Sequence, residues 1–299
     1  MTQFHGLTAK GPYFEGWYFK HQAGDHTLAL IPGVQYDKAG HRTAFIQVLT
    51  EGGSYRIFYP MSAFKVCPHC LSVNIGGNRF THNGLSVDLQ TKGLRLKGKI
   101  RYGPLTPPKS DVMGPFSHMP RMQCRHGVIS LGHALEGEIE QNGKTVSFDN
   151  GIGYIEKDWG SSFPERYAWA QCNDFSGQKS AVMLSVADVP FLGRQFIGCI
   201  AVVLHGGREY RLATYRGVQI ERCDSKGVVL RQGRYRLRAD FQPPAGHPLL
   251  APHQGVMDRI IRETSDCRAA FSFFERDDAV FRLKSNHACF EYCAPKAIV

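Results

Sequence analysis

The chain has 299 residues, of which 42% are hydrophobic and 21% are charged, and it carries a formal net charge of +10. This length allows one large domain or two domains of about 150 residues, and the composition is ordinary for a globular protein. The sequence contains neither a long block of consecutive basic residues nor a zinc-finger spacing, so nucleic acid is not a predicted partner. The positive charge leaves three interpretations, which are solubility, anionic substrates and a peripheral contact with a membrane surface.

No targeting or membrane-spanning segment is predicted. Residues 1–5 lack the basic region and the apolar core of a secretory signal. The longest apolar run, residues 196–204, is much shorter than the roughly 20 residues that a membrane-spanning helix needs. We therefore expect a soluble, cytoplasmic protein.

The nine cysteines are expected to be reduced thiols, because the number is odd and no secretory signal is present. Cys67-Pro68-His69-Cys70 offers an alternative, since Cys-x-x-Cys can form a redox dithiol. Such dithiols sit at the start of a helix, however, and the residues that follow Cys70 alternate as a strand does. Irregular spacing also disfavours a zinc site that would add His287, Cys289 and Cys293.

Short alternating runs separated by turn residues dominate the chain and predict β-strands. Asn142-Gly143 between two such runs is the strongest local signal for a hairpin, because both turn positions need positive φ. One helix is predicted at residues 254–266, where Val256, Met257, Ile260 and Ile261 have helical spacing. The principal predicted strands are residues 27–32, 43–49, 85–89, 94–100, 133–140, 180–186, 195–204, 209–215, 235–241, 269–275 and 279–283.

A weak internal repeat accompanies this pattern. Residues 17–21, followed by a glycine turn and an apolar run, parallel residues 169–173, which are followed by the same features. The period of about 150 residues predicts a duplicated domain rather than a repeat array. We therefore expect a mainly β protein with two antiparallel β-barrels or sandwiches in tandem, at residues 1–150 and 151–299, and one late helix.

Residues 102–125 interrupt the strand pattern with a segment rich in proline, methionine and glycine. A long irregular loop in a compact protein is usually functional or disordered, and the apolar content here favours a lid or a pocket wall. His118 and His126 lie near the end of this loop, and either could accept a proton from a hydroxyl group. The alternative for both is an ordinary surface or structural histidine.

Two similar segments carry the strongest chemical signal, because each contains Tyr-x-Glu followed closely by tryptophan. They place Glu15, Glu156 and Asp158 beside large aromatic side chains. A carboxyl group in such surroundings is desolvated, which raises its pKa and suits it to act as a general acid. Lys157 would oppose that shift. The alternative is that these carboxylates form buried salt bridges that fix the ends of strands.

The aromatic residues of the motifs could line a cavity and stabilise a developing carbocation, or they could simply fill the core. Trp169, Gln171 and Asn173 would share one face of a strand, which suits an apolar pocket with a few orienting hydrogen bonds. The sequence contains no P-loop, dinucleotide-binding glycine motif, nucleophile elbow or His-x-x-x-His pair, so neither a cofactor nor a metal is predicted. The aromatic candidates for contact with substrate are Trp17, Tyr18, Trp159 and Trp169.

Several of these segments together resemble the tocopherol cyclase-like family. The most specific is Gly153-Tyr154-Ile155-Glu156-Lys157-Asp158-Trp159-Gly160, continued by Ser161-Ser162-Phe163-Pro164. The resemblance runs in order along nearly the whole chain. Supporting segments are residues 14–19, 114–116, 124–128, 169–173, 209–215, 251–252 and 257–259.

The resemblance implies a pair of lipocalin-like β-barrels, similar to carotenoid hydratase-like proteins, with a small hydrophobic molecule as the bound partner. It also implies an intramolecular lyase or isomerase that needs no cofactor. Plant members protonate a prenyl double bond, and the quinol hydroxyl then adds to the tertiary cation. The chain departs from the plant pattern at Asp158, where plant sequences tend to have asparagine, and this puts the natural substrate in doubt.

On this basis we expect Asp158 or Glu15 to donate the proton, with Glu156 less favoured. His126, Gln171 and Asn173 would orient or deprotonate the hydroxyl group, and Lys157 and His118 would contact substrate. An enzyme is favoured over its alternative, a non-catalytic carrier that holds a hydrophobic ligand in the same fold. A thiol oxidoreductase based on Cys67 and Cys70 is a third, weaker hypothesis.

Overall fold

Twenty-two β-strands carry the fold in the computed structural model, which describes residues 3–120, 122–191 and 193–299. Four residues therefore lie outside the described part of the chain. They are Met1 and Thr2, Arg121 of the predicted lid, and Leu192. The helical elements among the described residues are four short 3₁₀ turns, at Gly6–Thr8, Met61–Ala63, Gly114–His118 and Thr214–Arg216. None of them has the length or the apolar character that a membrane-crossing helix requires.

The first sheet contains twelve antiparallel strands in the order β4-β3-β2-β1-β12-β10-β9-β8-β7-β6-β5, with β11 paired to β10. The pairings do not close this sheet into a barrel. Its strands are β1 (Tyr13–Ala23), β2 (His26–Tyr36), β3 (Arg42–Thr50), β4 (Gly53–Pro60), β5 (Phe64–Val66), β6 (Ser72–Ile75), β7 (Asn78–Thr81), β8 (Gly84–Thr91), β9 (Leu94–Tyr102), β10 (Cys124–Gln141), β11 (Lys144–Ser147) and β12 (Ile152–Gly160).

The second sheet contains ten strands in the order β16-β15-β14-β13-β22-β21-β19-β18-β17, with β20 paired to β21. This order repeats that of the first sheet from β4 to β7, with β13 in the position of β1 and β22 in that of β12, whereas β6 and β5 have no counterpart. Its strands are β13 (Tyr167–Cys172), β14 (Ser180–Phe191), β15 (Arg194–His205), β16 (Arg208–Ala213), β17 (Gln219–Asp224), β18 (Gly227–Gln232), β19 (Tyr235–Gln242), β20 (His247–His253), β21 (Val256–Glu275) and β22 (Asp278–Cys293).

The prediction of a mainly β fold with two antiparallel units is confirmed. The predicted repeat between residues 17–21 and residues 169–173 does not hold residue by residue. Trp17 packs in the first hydrophobic core, whereas in β13 it is Ala168 and Ala170, the neighbours of Trp169, that pack in the second. Because successive side chains of a strand point to opposite faces, the two tryptophans face opposite ways relative to their cores.

The late helix was a wrong prediction. Residues 256–266 begin β21, in which Met257, Ile261 and Glu263 are buried while Ile260 is 68% exposed. From residue 256 to residue 263 the burial follows a period of two, since β21 pairs with β20 and, from Glu263 on, with β22, and this pairing outweighs the local helical spacing. The turn before β21 is formed by Gln254 and Gly255, both at positive φ. This is the hairpin geometry that was predicted for Asn142-Gly143 and is observed there too.

The chain divides into two compact units, each assembled from three segments. Unit 1 comprises Met1–Pro107, Cys124–Phe163 and Leu249–Ile260. Unit 2 comprises Pro108–Gln123, Pro164–Pro248 and Ile261–Val299. This division differs from the expected boundary after residue 150, because β12 is a central strand of the first sheet.

The turn end of the β20–β21 hairpin is integrated into unit 1 by side-chain hydrogen bonds. The buried Gln47 amide accepts from the backbone N–H of Leu250 at 2.8 Å and donates to its carbonyl oxygen at 2.9 Å. The backbone N–H of Met257 donates to Gln35 Oε1 at 2.7 Å. A segment distant in sequence thereby becomes part of the unit that holds β1 and β12.

The Cys67–Cys70 pair also differs from the expectation of reduced thiols, because the two residues form a disulfide with a Cα–Cα distance of 5.5 Å. The other seven cysteines are not in disulfides. The segment after Cys70 does form a strand, β6, as its alternation predicted.

Candidate functional site

Strands β1 and β12 bring the two tryptophan-containing motifs side by side. Their antiparallel register places Glu15 opposite Trp159, and Trp17 opposite Lys157. Because side chains alternate along a strand, Glu156 and Asp158 point to the other face of the sheet. The residues that the sequence analysis assigned to one cavity therefore lie on two faces of one sheet. The motif residues that share the first face are Glu15, Trp17, Lys157 and Trp159.

On the first face, Lys157 and Glu15 form a buried ion pair. The distance from Lys157 Nζ to Glu15 Oε1 is 2.8 Å, and neither side chain is exposed to solvent. The ammonium group also donates to the carbonyl oxygen of Gln3 at 2.6 Å and lies 4.6 Å from the ring centre of Trp159. Every charge in this arrangement is satisfied by a protein group, which is the condition for burying an ion pair.

The second oxygen of Glu15 is satisfied by the N-terminal segment. Glu15 Oε2 accepts hydrogen bonds from the backbone N–H groups of His5 at 2.9 Å and Gly6 at 3.2 Å. It also accepts a short hydrogen bond from the Tyr13 hydroxyl. The His5 ring stacks on the Trp159 ring at 4.5 Å between centres. The segment before β1 thus completes the binding of this carboxylate.

The electrostatics of this pair argue against the predicted role of Glu15 as a neutral acid. Burial alone would raise the pKa of Glu15, but the hydrogen bonds from His5, Lys157 and Tyr13 and the charge of Lys157 outweigh it and lower the pKa. Burial, with the charge of Glu15, raises the pKa of the Tyr13 hydroxyl. Burial lowers the pKa of Lys157, and Glu15 opposes that shift. Glu15 is therefore an ionised structural carboxylate, which was the alternative considered from sequence.

On the opposite face, the His126 ring lies between two carboxylates. His126 Nδ1 is 2.8 Å from Asp158 Oδ1, and His126 Nε2 is 3.4 Å from Glu156 Oε2. The register of β10 with β12 explains the grouping, since His126 is directly opposite Asp158. The exposed fractions of the side chains are 11% for His126, 5% for Glu156 and 20% for Asp158. We call His126, Glu156 and Asp158 the carboxylate–histidine trio.

Two further side chains, those of Tyr154 and Cys124, contact the carboxylates of the trio. The Tyr154 hydroxyl donates to Glu156 Oε2 at 2.5 Å, within the buried part of the face. Cys124 Sγ lies 3.9 Å from Asp158 Oδ1. Burial, together with the charges of Asp158 and Glu156, raises the pKa of the Cys124 thiol well above its ordinary value, so this cysteine stays protonated. Tyr18 is opposite Glu156 in the register of β1 with β12 and adds an aromatic ring to the same face.

The trio is also a group that could hold a metal ion, which the sequence analysis did not predict. One potential ligand atom from each of the three side chains lies within 4.8 Å of the others. A single imidazole with two carboxylates is a reasonable ligand set for a divalent metal. The 2.8 Å distance between His126 Nδ1 and Asp158 Oδ1 is also that of a hydrogen bond.

In unit 2, Trp169 and Gln171 of the predicted set lie on one face of β13, and Asn173 follows the end of that strand. Trp169, Gln171 and Asn173 are 7%, 0% and 2% exposed. The hydroxyl of Tyr167, on the same face, donates to Glu291 Oε2 at 2.8 Å. This face is opposite the one that packs into the core of unit 2. A role for these residues in orienting a hydroxyl group stays a prediction.

The predicted lid is anchored within unit 2. The buried guanidinium of Arg211 donates to the backbone carbonyl oxygens of Asp111 at 2.9 Å and Ser110 at 3.2 Å. The Tyr215 hydroxyl donates to the carbonyl oxygen of Val112 at 3.0 Å. His118 is exposed at the end of the 3₁₀ turn in this segment, so only His126 of the two predicted histidines belongs to a buried cluster.

Sequence reasoning missed three groups that matter for the chemistry of unit 1. The bond from Tyr154 to Glu156 repeats the bond from Tyr13 to Glu15, and the Tyr-x-Glu spacing could have revealed both, because residues two apart in a strand share a face. The third group is a buried pair of histidines in which His21 Nε2 is 2.7 Å from the Tyr102 hydroxyl and the Tyr102 and His133 rings are 4.5 Å apart. No local sequence signal connects these three residues, which come from β1, β9 and β10.

Comparisons with known proteins agree with this architecture. The chain is 33% identical over 86 residues to a probable tocopherol cyclase of Oryza sativa subsp. japonica and 43% identical over 63 residues to a tocopherol cyclase of Zea mays, both chloroplastic. These segments cover 29% and 21% of this chain but only 18% and 13% of the relatives. The chain therefore matches less than a fifth of the length of either relative.

Two solved structures share the fold over almost the full length. One is a putative AttH protein from Nitrosomonas europaea, with a TM-score of 0.54, 9% identity and coverage of 98% of this chain and 95% of the other. The second is kievitone hydratase from Nectria haematococca, with a TM-score of 0.54, 11% identity and coverage of 97% and 93%. At such low identity the likeness establishes the fold alone.

Residues 93–292, about two thirds of the chain, match the tocopherol cyclase-like family. The match includes the trio, Tyr154, Lys157 and the polar face of β13. The chain therefore belongs to the tocopherol cyclase-like family.

Proposed function

We propose that this protein is an enzyme that protonates a double bond of a prenylated quinol or a related isoprenoid and closes a ring by hydroxyl addition. The observation that carries the proposal is the His126 ring held between the carboxylates of Asp158 and Glu156. Membership of the tocopherol cyclase-like family supports the class of reaction. One structure with the same fold is named a hydratase, which is consistent with addition of an oxygen nucleophile.

In this proposal, the trio holds the proton that is transferred to the double bond of the substrate. Glu156 accepts a hydrogen bond from Tyr154 and, in this proposal, a second from His126 Nε2–H. His126 Nδ1 then accepts from Asp158 in its acid form, across the 2.8 Å contact. Asp158 is the most exposed of the three and is therefore the member that would meet the substrate. The proposal thus assigns the acid form to one carboxyl group and the ionised form to the other, which is a common assignment in acid–base catalysis.

The proposed reaction conserves all atoms and requires no redox step. Asp158 transfers its proton to one carbon of the double bond and leaves a tertiary carbocation on the other. A lone pair of the substrate hydroxyl group forms the new carbon–oxygen bond, and the proton lost from that oxygen returns to the trio. The product is an isomer of the substrate, and the trio ends in its initial state. Tyr18 and Tyr154 would present aromatic groups near the cation.

The reaction can be tested with purified protein and a geranylgeranyl or phytyl quinol. Turnover should give a chromanol of unchanged mass in water, and the product should gain a deuterium on carbon in deuterium oxide. Asp158→Asn should reduce the rate by about 100- to 10,000-fold, which is the usual contribution of a general acid. The matched control is Asp88→Asn, because Asp88 lies in the same unit but is exposed and paired with Arg95.

The outcomes separate the proposal from its alternatives. Equal turnover in the Asp158 and Asp88 variants would remove Asp158 as the donor. Tight binding of the quinol without turnover would instead favour a carrier of hydrophobic ligands. Turnover that is lost on chelation and restored by a divalent metal would assign the trio to metal binding.

A further inference from the structure

Unit 2 carries an outward-facing surface of positive charge. It lies on β18, β19, β21 and β22, where the residues alternate between core and solvent. The inward residues, including Leu237, Phe273 and Phe281, pack in the second core, and the residues between them point outward. We call this surface the basic face; its members, all exposed, are Arg231, Arg236, Arg238, Arg268, Arg282 and Lys284.

The equivalent strands of the first sheet show that this charge is not a general property of the fold. There, three of the four cations of β9 are opposite an acid of β10, and the fourth, Arg95, is paired with Asp88 of β8, so the charges cancel across the strands. The pairs in register are Lys97 with Glu140, Lys99 with Glu138, and Arg101 with Glu136.

In the second sheet the register leaves the cations without such partners. Arg231 of β18 is directly opposite Arg236 of β19, a like-charge pair that disfavours folding. Arg238 is opposite Ser272, which is in turn opposite Arg282. A sheet selected for stability alone would place acids at these positions, as the first sheet does.

Few acids offset the basic face. Arg236 is paired with Glu221 at 2.8 Å, and Arg238 is paired with Asp240. Within the described residues, Arg231, Arg268 and Lys284 have no ion-pair partner, and all three are exposed. The basic face therefore has more cations than ion pairs.

The shape and chemistry of the face select among anionic partners. Neighbouring strands are about 4.8 Å apart, so the cations form a two-dimensional array on a sheet surface. A layer of lipid headgroups presents phosphates in the same way, whereas a nucleic acid duplex presents them along a ridge. Arg282 also lies over the outward ring of Phe274, 5.5 Å from its centre, which adds an aromatic group of the type found at membrane interfaces.

We propose that the basic face of unit 2 docks this protein onto an anionic lipid bilayer. The attraction would be electrostatic and would act within about 10 Å of the surface at moderate ionic strength. The docking surface is separate from the carboxylate–histidine trio in sequence and in composition, so the proposal does not depend on the reaction that the trio performs.

The test measures co-sedimentation of the full chain with vesicles. Phosphatidylcholine vesicles are compared with vesicles that also contain phosphatidylglycerol, at about 0.05 M and about 0.5 M salt. We expect binding only to the anionic vesicles, and release at high salt. The triple variant Arg231→Gln, Arg268→Gln, Lys284→Gln should bind about 100-fold more weakly, because each cation near the surface contributes roughly a factor of five.

A control with the same net charge distinguishes a docking face from general attraction. Lys97→Gln, Lys99→Gln, Arg101→Gln removes the same number of charges from the first sheet and should keep binding within about threefold of the unaltered chain. Equal loss in both triple variants, absence of binding to anionic vesicles, or tighter binding to duplex DNA than to vesicles would each overturn the proposal. The comparisons of lipid, salt and DNA use the unaltered chain, so they decide the question even if a variant does not fold.

Discussion

Lys157 Nζ lies 2.8 Å from Glu15 Oε1, and both side chains are completely buried between β1, β12 and the N-terminal segment. The pair joins residues that are 142 positions apart in sequence. Burying it is tolerable because Gln3, His5, Gly6 and Tyr13 satisfy the remaining donors and acceptors. We therefore expect the pair to stabilise the packing of β1, β12 and the N-terminal segment, and not to supply protons.

The first prediction concerns this pair. Lys157→Met should lower the free energy of unfolding by about 3–5 kcal/mol, because it leaves the Glu15 carboxylate buried without its counter-charge. Adding Glu15→Gln to that variant should restore part of the loss. The measurement is urea-induced unfolding of both single variants and the double variant. Strictly additive effects would show that the two charges do not stabilise each other.

The second prediction is a loss of stability in mild acid. Burial lowers the pKa of His21 to about 4 and, with the proximity of His21, that of His133 to about 3. Both are neutral in the folded protein, whereas in the unfolded chain histidine gains a proton below about pH 6.5. The unfolded state thus binds more protons, so stability is complete above pH 6.5 and falls as the pH drops toward the folded values.

His133→Asn should make this pH dependence shallower between about pH 6.5 and pH 5, a range in which carboxylates contribute little. His41→Asn is the matched control, because His41 is 80% exposed. Urea midpoints measured across the pH range provide the comparison. An unchanged slope for His133→Asn would contradict the assignment of a buried neutral imidazole.

The third prediction compares the two Tyr-x-Glu pairs on opposite faces of the first sheet. Tyr154→Phe removes the donor to Glu156 and, on the proposed function, should lower turnover about tenfold and alter its pH profile. Tyr13→Phe removes the donor to Glu15 and should cost about 1–3 kcal/mol of stability while turnover is retained. Quinol cyclisation assays and urea unfolding measure the two effects. The reverse pattern would move the chemistry to the Glu15 face.

The fourth prediction tests the attachment of the β20–β21 turn to unit 1. Gly255 has φ +84°, and a Cβ at this position would lie 2.0 Å from the carbonyl oxygen of Tyr36 and 2.5 Å from the nitrogen of Tyr13. Gly143 has a similar φ of +80° but open space around it. Gly143→Ala should cost about 1–2 kcal/mol from backbone strain alone, and Gly255→Ala clearly more. Similar unfolding midpoints for the two variants would show that the turn is not held in this packing.

Local patterns predicted most of the strands correctly, because alternation reports the one-sided burial of a sheet. Asn142-Gly143 likewise forms the expected hairpin, since its positive φ angles are a local property. The same reasoning failed at residues 256–266. There the helical spacing of Val256, Met257, Ile260 and Ile261 was overridden by partner strands, β20 and then β22, which no local window contains.

The sequence by itself determined the fold class, the family and the candidate carboxylates, because these depend on the order and periodicity of residues along the chain. Only the tertiary structure decided what each carboxylate does. Register between β1, β10 and β12 assigned Glu15 to Lys157 on one face and joined Asp158 and Glu156 to His126 on the other. A shift of one position in either pairing would exchange those faces, and register is fixed by contacts between residues far apart in sequence.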